Sequence, residues 1–451
     1  MANQIDMLNG PLVKKILLFA LPLAATSTVQ QLFNSADVAI LGHFTGSEAL
    51  AAVGSNAPVI NLMINLFIGL SIGANVIIAN YIGQGRADRI SDAVHTTVLL
   101  SVIGGVIVGI LGILLAKPIL ILMDSPDNVI DLATLYLRIF FAGMPFMMIY
   151  AYCAAILRSK GDTRRPLLIL LCSGVIKVGI NLLFVCVLGY GVAGVAVATI
   201  IANFLNSGAV VFLLMREEGP FRLSPRKLAI KKEQFIRILK IGVPAGVQGM
   251  VFSFSNVCIQ SAINGFGSDA IAGSAAALNF EYFSYFVLNA FGQTAVTFTS
   301  QNYGARSAER CRAVFRDCMI MGTIAMMICN AGFFLGRGGL ILIFTSDANV
   351  LPWAMTRMSH VLIFQWIACS YELSGQCLRG MGHSLLPAVF SMIGSCVLRI
   401  VWIYTVFQSV GTFEMLMNVY PISWVITGIA TLIAYAVISR KEYRKMGEAL
   451  G

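Results

Sequence analysis

Residues 14–42 read KKILLFALPLAATSTVQQLFNSADVAILG, and this segment decides the class of fold. After two lysines, the stretch from Ile16 to Ala36 carries no charge, and at 1.5 Å rise per residue it matches a hydrocarbon core of about 30 Å. Asp37 follows, although an ionised aspartate at the centre of a spanning helix costs roughly 2.5–3.5 kcal/mol. The segment therefore predicts a membrane-spanning helix with a functional acid.

The first helix has one polar stripe. Ser27, Gln30, Asn34 and Asp37 recur at helical spacing and share one face. This face must meet protein or a wet cavity rather than lipid. We predict that Asp37 is functional. For Gln30 and Asn34 two interpretations stay open, namely contact with a substrate and hydrogen bonding to neighbouring helices.

The composition is that of a polytopic membrane protein. Hydrophobic residues make up 58% of the 451 residues and charged residues 12%, against about 25% charged in soluble proteins. The ten cysteines are scattered without a CxxC motif, and the four histidines have no metal-ligand spacing. We therefore predict free thiols, no metal and no cofactor.

Hydropathy predicts twelve apolar spans joined by short loops. If the N-terminus is cytoplasmic, most of the 31 lysines and arginines lie on the cytoplasmic side, which is the positive-inside pattern. The outer side then holds Lys117, Arg138, Arg337 and Arg357. The net charge of +10 thus reports topology in a cell membrane with both termini cytoplasmic, and it excludes a nucleic-acid partner. The predicted spans are 14–41, 50–81, 94–116, 129–157, 166–188, 192–215, 238–263, 271–302, 314–335, 350–378, 385–408 and 416–438.

The two halves of the chain repeat each other. FTGSEALAAVG at 44–54 matches GFGSDAIAGSA at 265–275, and LRSKGDTRRP at 157–166 matches LRGMGHSLLP at 378–387, both at a numbering offset of 221. GQGRADR at 83–89 and DSPDNV at 124–129 follow the same offset. We predict two six-helix lobes, 1–215 and 237–451, related by a pseudo-two-fold axis along the membrane normal, with 216–236 a cytoplasmic connector.

These motifs carry a family resemblance. LRSKGDTRRP, the GSEALAAVG turn after QQLFNSADVAILG, and GYGVAGVAVATI at 189–200 resemble the multidrug and toxic compound extrusion (MATE) family over about residues 10–440. The resemblance implies two lobes around a central cavity. It also implies cation-coupled antiport of amphipathic, often cationic compounds. We expect a monomer in the lipid bilayer that binds a small-molecule substrate.

In the first half the candidate coupling residues are Asp37, Lys177 and Asn181. Asp37 resembles the first-helix aspartate that the family uses for coupling, whereas Lys177 departs from the Asn and Asp that the fifth helix often carries. A lysine supplies the positive charge that sodium would bring, so we expect protons, with sodium as the alternative. A static Asp37–Lys177 pair stays open as the structural interpretation. The candidate substrate-binding residues of this half are Gln30, Asn34, Thr199 and Asn203.

In the second half five residues are candidates for substrate binding. Glu372 and Gln376 belong to a polar stripe in the tenth span, and Glu281 and Tyr285 lie in the aromatic run NFEYFSYF. Glu281 has a structural alternative, an acid neutralised or paired with an arginine. Arg399 lies one residue away from the repeat partner of Lys177 at the offset of 221.

The leading hypothesis is a proton-coupled exporter of amphipathic compounds. A lipid-linked glycan flippase is the alternative, although such a flippase would have more basic residues in its cavity; here the acids within spans outnumber the bases. A receptor or scaffold would need no coupled charges. We expect no enzyme, because the sequence offers no nucleophile–base pair, metal set or phosphate loop.

Overall fold

The computed structural model describes residues 4–45, 47–123, 127–345 and 347–448, and these residues form helices and their connections, without a strand. The repeat-motif positions Gly46, 124–126 and Ser346 lie outside them. The helices are α1 Leu12–Phe44, α2 Ser47–Gly83, α3 Ala87–Leu122, α4 Asp127–Ala142, α5 Met144–Ser159, α6 Arg164–Leu182, α7 Gly191–Arg216, α8 Lys232–Asn264, α9 Ser268–Gly304, α10 Ala308–Leu340, α11 Leu351–Val361, α12 Ala368–Gly380, α13 Leu385–Ser391, α14 Leu398–Trp402, α15 Gln408–Val410, α16 Phe413–Met417 and α17 Val419–Glu448.

The helices account for the predicted spans. Within the described residues, nine helical segments are long and apolar enough to cross a membrane, and α4 with α5, bent by 45°, makes a tenth. The remaining predicted spans correspond to α9, which contains Glu281, and to α11 and α12, which a 3₁₀ turn at Gln365–Ile367 separates. The chain is an all-α, multi-pass membrane protein, and its helices are consistent with twelve spans in two lobes.

The described chain divides into two compact units. The first comprises Ala25–Leu239 with the described residues up to Ile5, and the second comprises Asp6–Ala24 with the described residues from Lys240 onward. In the first unit α3 packs closely on α5, and α6 packs on α7; in the second, α9 packs on α10 and α12. The predicted domain boundaries at 215 and 237 stay a prediction.

Small residues let α3 approach the bent pair α4–α5. A Cβ added to Gly105 would lie 2.5 Å from the Cα of Pro145, and one added to Gly109 would lie 2.9 Å from the carbonyl oxygen of Phe141. Because no side chain fits in these gaps, glycine is required for backbone contact between the helices, as in other small-residue helix interfaces. The contact holds α3 against the bend at Gly143.

Three π-helical segments interrupt the predicted fifth and eleventh spans. Leu183–Val187 continues α6, and Ile403–Phe407 occupies a similar place after α14. The third segment, Met392–Val397, lies between α13 and α14. The corresponding residues of the first repeat lie within α6 and are α-helical. A π-helical segment places more residues in each turn than an α-helix, so it changes which residues share a face.

The connector between α7 and α8 packs on the helices of the first unit. The backbone N–H of Leu223 donates to the carbonyl of Leu214, and that of Ser224 donates to Nε2 of His95. Glu217 accepts from Lys160 and pairs with Arg165, each at 2.5 Å. Burial raises the pKa of Glu217, but these two cations outweigh burial and hold its pKa below the ordinary value.

Gly105→Ala should destabilise the protein by about 1–3 kcal/mol, because its methyl group overlaps the backbone of Pro145 and forces α3 and α5 apart. Gly208→Ala in α7 is the matched control, since no atom lies within 4 Å of its added Cβ, and alanine favours the helix. Thermal unfolding of the purified variants in detergent measures the difference. An equal melting temperature for both variants would contradict the close contact.

Candidate functional site

Asp37 is held by two side chains of α6. Lys177 Nζ donates to Asp37 Oδ2 at 2.5 Å, and Asn181 Nδ2 donates to Oδ1 at 2.5 Å. Lys177 and Asn181 are four residues apart, so they lie on the same helical face. The side chains of Asp37 and Lys177 are 12% and 9% exposed. The structure therefore brings the three predicted coupling residues together in a buried cluster.

Apolar packing surrounds this cluster. Ile40 and Leu41 follow Asp37 on α1 and pack with Tyr136 of α4 in a buried hydrophobic cluster. On the other side of Asp37, Phe33 fills the space beside Gly174 of α6, where an added Cβ would lie 1.7 Å from the ring. The packing of these side chains therefore fixes the position of α1 along the axis of α6. Because the surroundings are apolar, the ion pair interacts more strongly than it would in water.

The other predicted residues of the first unit lie apart from this cluster. Gln30 and Asn34 are exposed on α1. Thr199 is half-buried and donates to the carbonyl of Val195 at 3.0 Å, and Asn203 is half-buried without a hydrogen bond to Asp37 among the described residues. The buried asparagine of α7 is Asn206, which accepts a 2.5 Å hydrogen bond from Ser173.

In the second unit Glu281 forms a bidentate pair with Arg357. Nε of Arg357 donates to Oε1 at 2.6 Å and Nη2 to Oε2 at 3.0 Å, while Nη1 donates to Ser274. Arg357, which is predicted on the outer side, lies within α11 with its side chain 3% exposed. The geometry of Glu281 matches its structural alternative, an acid paired with an arginine.

Glu372 and Gln376 lie one turn apart on α12. Gln376 Nε2 donates to Glu372 Oε1 at 2.7 Å, and the backbone of Gly292 on α9 lies beside both side chains. Tyr285 is exposed, and Glu372 and Arg379 lie near it. Glu372 is half-buried, and no cation forms a salt bridge with it in the described chain. Its carboxylate is therefore available to a positively charged group.

Arg399 of α14 forms no salt bridge with these acids and is buried between aromatic rings. Its guanidinium lies 4.8 Å from the ring centre of Tyr420 and 5.2 Å from that of Phe252. The site thus consists of a paired acid and base in one unit, and of several separate polar groups in the other. Within the described residues, no group of three or more acids, histidines or cysteines is placed to hold a metal.

These features define a class: a multi-pass helical membrane protein with duplicated halves and charged groups buried in its spans. The chain belongs to the MATE family of membrane transporters, because a family model described as MatE matches residues 22–183 and again 244–405. The two matches start at Pro22 and Pro244, and both their starts and their ends are offset by 222 in the numbering. The family match is thus itself repeated, which agrees with the duplication predicted from the loop motifs.

Similar proteins cover most of the chain. The probable multidrug resistance protein YoeA of Bacillus subtilis is 27% identical over 83% of this chain and 82% of its own length. The probable multidrug resistance protein NorM of Thermotoga maritima is 28% identical over 84% and 82%. A solved structure of a multidrug resistance MATE family transporter in an outward-facing conformation aligns with a TM-score of 0.88 at 21% identity, over 98% of both chains. The structural likeness shows the fold.

Arg357→Ala should destabilise the protein by about 3–5 kcal/mol, because it leaves the Glu281 carboxylate buried without a partner. The double variant Glu281→Gln, Arg357→Met should be markedly more stable than Arg357→Ala, since no charge is then left unpaired. The stability of both variants is measured by thermal unfolding and by the yield of monodisperse protein. If the double variant is no more stable than the single one, the pair does not act as a unit.

Proposed function

We propose that this chain is a proton-coupled antiporter that exports amphipathic, often cationic small molecules by alternating access. The observation that carries the proposal is the buried cluster of Asp37, Lys177 and Asn181, which ties α1 to α6 through a charge that a proton can remove. The names of the relatives, which describe multidrug resistance proteins, support the cargo class. The protein acts as a monomer in the cell membrane, with both termini and the connector cytoplasmic.

The ion pair favours protons over sodium as the coupling ion. The ammonium of Lys177 occupies the position beside Asp37 Oδ2 where a metal cation would bind, and Asn181 occupies the other oxygen. A sodium ion would have to displace a fixed charge of the same sign. A proton needs only the carboxylate, once that carboxylate has separated from Lys177.

Protonation changes what holds α1 in place. A buried ion pair persists because its attraction offsets desolvation, and loss of one charge leaves the other uncompensated at a cost of about 3–5 kcal/mol. When Asp37 takes a proton, Lys177 loses its partner and must reach water, so α1 moves relative to α6. Deprotonation restores the pair and returns α1 to the position described above.

Cargo and proton compete through this movement. Gln30 and Asn34 are exposed on the helix that Asp37 holds, so the position of α1 determines what these side chains contact. If cargo binds the state with Asp37 ionised, and the proton stabilises the other state, each displaces the other. This reciprocal coupling is what antiport requires.

Asp37→Asn should abolish export driven by a pH gradient while leaving the protein folded, because asparagine keeps the size of the side chain but takes up no proton. Lys177→Ala should shift the pH optimum of export upward, since Asp37 then binds its proton more readily. Efflux of ethidium from cells and from proteoliposomes under an imposed pH gradient measures both. Wild-type export by Asp37→Asn would show that Asp37 serves packing only.

The second unit contributes recognition of cationic cargo through Glu372. Its carboxylate is half-buried, bonded to the neutral Gln376, and near the exposed Tyr285. A carboxylate in a partly desolvated site attracts a cation more strongly than one in bulk water. An aromatic side chain beside it suits flat, amphipathic molecules.

Glu372→Gln should reduce export of cationic dyes about tenfold and export of a neutral dye of similar size much less, because only the charge is removed. The comparison is made in the same vesicles under the same gradient. Gln376→Glu is a matched variant that adds a charge one turn away and should favour cations further. Equal losses for cationic and neutral dyes would mean that Glu372 has a structural role.

A further inference from the structure

The repeat places Arg399 where the first unit has Lys177. The loop motifs repeat at an offset of 221, but both ends of the family match repeat at 222, and Lys177 plus 222 is 399. The π-helical segment Met392–Val397 lies between the loop motif and Arg399, where it accommodates one added residue. Ser173 then corresponds to Ser395. Arg399 is therefore the counterpart of Lys177.

The same register locates the counterpart of Asp37. Pro22 of α1 matches Pro244 of α8 at the offset of 222, and Asn34 matches Asn256 at the same offset within the same two helices. Asp37 corresponds to Ile259, which is buried. At this offset the second unit has Arg399 in place of Lys177 and Asn256 in place of Asn34, whereas the apolar residues Ile259 and Ile403 stand in place of Asp37 and Asn181.

Arg399 is surrounded by neutral groups. The residue is 1% exposed; Nε donates to Ser423 at 3.2 Å and Nη1 to Oδ1 of Asn256 at 3.4 Å. Nη2 is buried and has no hydrogen-bond partner among the described residues. The rings of Tyr420 and Phe252 lie against the guanidinium and attract its charge, but they do not neutralise it.

The neighbouring acids of this unit form no ion pair with Arg399. Both oxygens of Glu281 are bonded to Arg357, and Oε1 of Glu372 is bonded to Gln376. Arg357 also lies over the ring of Tyr420, at 5.6 Å, so the cluster around this ring has two guanidinium groups and one bonded carboxylate. Arg399 therefore has no ion-pair partner among the described residues of this unit.

We propose that Arg399 and Asn256 form a binding site for a monovalent anionic group, in the position that the Asp37 carboxylate has in the first unit. The group is the carboxylate of a zwitterionic cargo or a small free anion. Arg399 is buried, whereas Asn256 is exposed on α8, so the anion enters past Asn256. If the anionic group belongs to a cargo molecule, the proposal rests on the proposed function and extends the substrates of the transporter to carboxylate-bearing compounds.

The first arm of the test compares two dyes that differ by one charge, rhodamine 6G and its free carboxylic acid, rhodamine 19. Purified wild-type protein should bind rhodamine 19 at least tenfold more tightly in fluorescence anisotropy. Arg399→Gln should lose this preference and leave the affinity for rhodamine 6G nearly unchanged. Arg399→Lys should retain part of the preference, because it keeps the charge but not the planar fork.

The second arm tests a free anion. At constant ionic strength, replacing sulfate, which is divalent, with chloride should raise the unfolding temperature of the wild type, because a ligand that binds the folded state stabilises it by mass action. Arg399→Gln should show no such rise. A chloride effect without a dye preference identifies a free anion, and a dye preference that persists in chloride identifies the cargo carboxylate.

Matched substitutions at Ile259 restore or omit the missing acid. Ile259→Asp places a carboxylate beside Arg399, so this variant should lose both the dye preference and the chloride effect. Ile259→Asn should keep both effects. The Ile259→Asp protein should also unfold at a higher temperature than the Ile259→Asn protein. In an Arg399→Gln background, the order of the two unfolding temperatures should reverse. This reversal is not expected if Arg399 only fills space.

The proposal is overturned if the wild type binds both dyes equally and chloride changes nothing, or if Arg399→Gln weakens both dyes to the same extent. Neither outcome bears on Asp37, because export of ethidium under a pH gradient needs no anionic group. Loss of that export with intact anion binding would instead overturn the proposed function and leave this site standing.

Discussion

A charge inside a membrane is tolerated only when something close by compensates for its desolvation, and this constraint orders the whole structure. Asp37 lies against Lys177 and Asn181, and Glu281 lies against Arg357 in a bidentate pair. Each contact joins helices that are distant in sequence, so each also fixes how the helices of its unit pack. The two pairs differ in how readily they separate, because a lysine on a flexible side chain leaves its partner more easily than a bidentate arginine does.

The hydrophobic pattern predicted the spans because membrane helices are long, apolar and strongly periodic. It also placed the polar residues of α1 and of α6 on one face of each helix, while the family resemblance implied that these two helices, and with them Asp37, Lys177 and Asn181, come together. The same reasoning did not pair Arg357 with Glu281. A place on the outer side does not identify the partner of a basic residue, and Glu281 is 76 residues away. Sequence shows where charges are, whereas only the packed helices show which of them meet.

The exact alignment of the two repeats was a second feature that the sequence did not determine. The loop motifs repeat at an offset of 221, which left Arg399 one residue away from the counterpart of Lys177. A π-helical segment accommodates the added residue within an otherwise continuous span, and neither propensity nor hydropathy marks such a segment. The breaks at Gly143 and at Gln365–Ile367 escaped the sequence for a similar reason, because packing against neighbouring helices determines where a long apolar helix bends.

The duplicated halves have resolved the same constraint in opposite ways. In the first unit the base has its own acid, so the site is neutral when closed, and a proton can change its charge. In the second unit the position of the acid is Ile259, and the base is an arginine. Arg399 forms no ion pair among the described residues, so the proposed anion supplies the negative charge that Asp37 supplies in the first unit. A lysine suits a site that opens and closes around a proton, and an arginine suits a site whose charge is permanent. The difference between Lys177 and Arg399 therefore follows from the loss of one carboxylate between the two repeats.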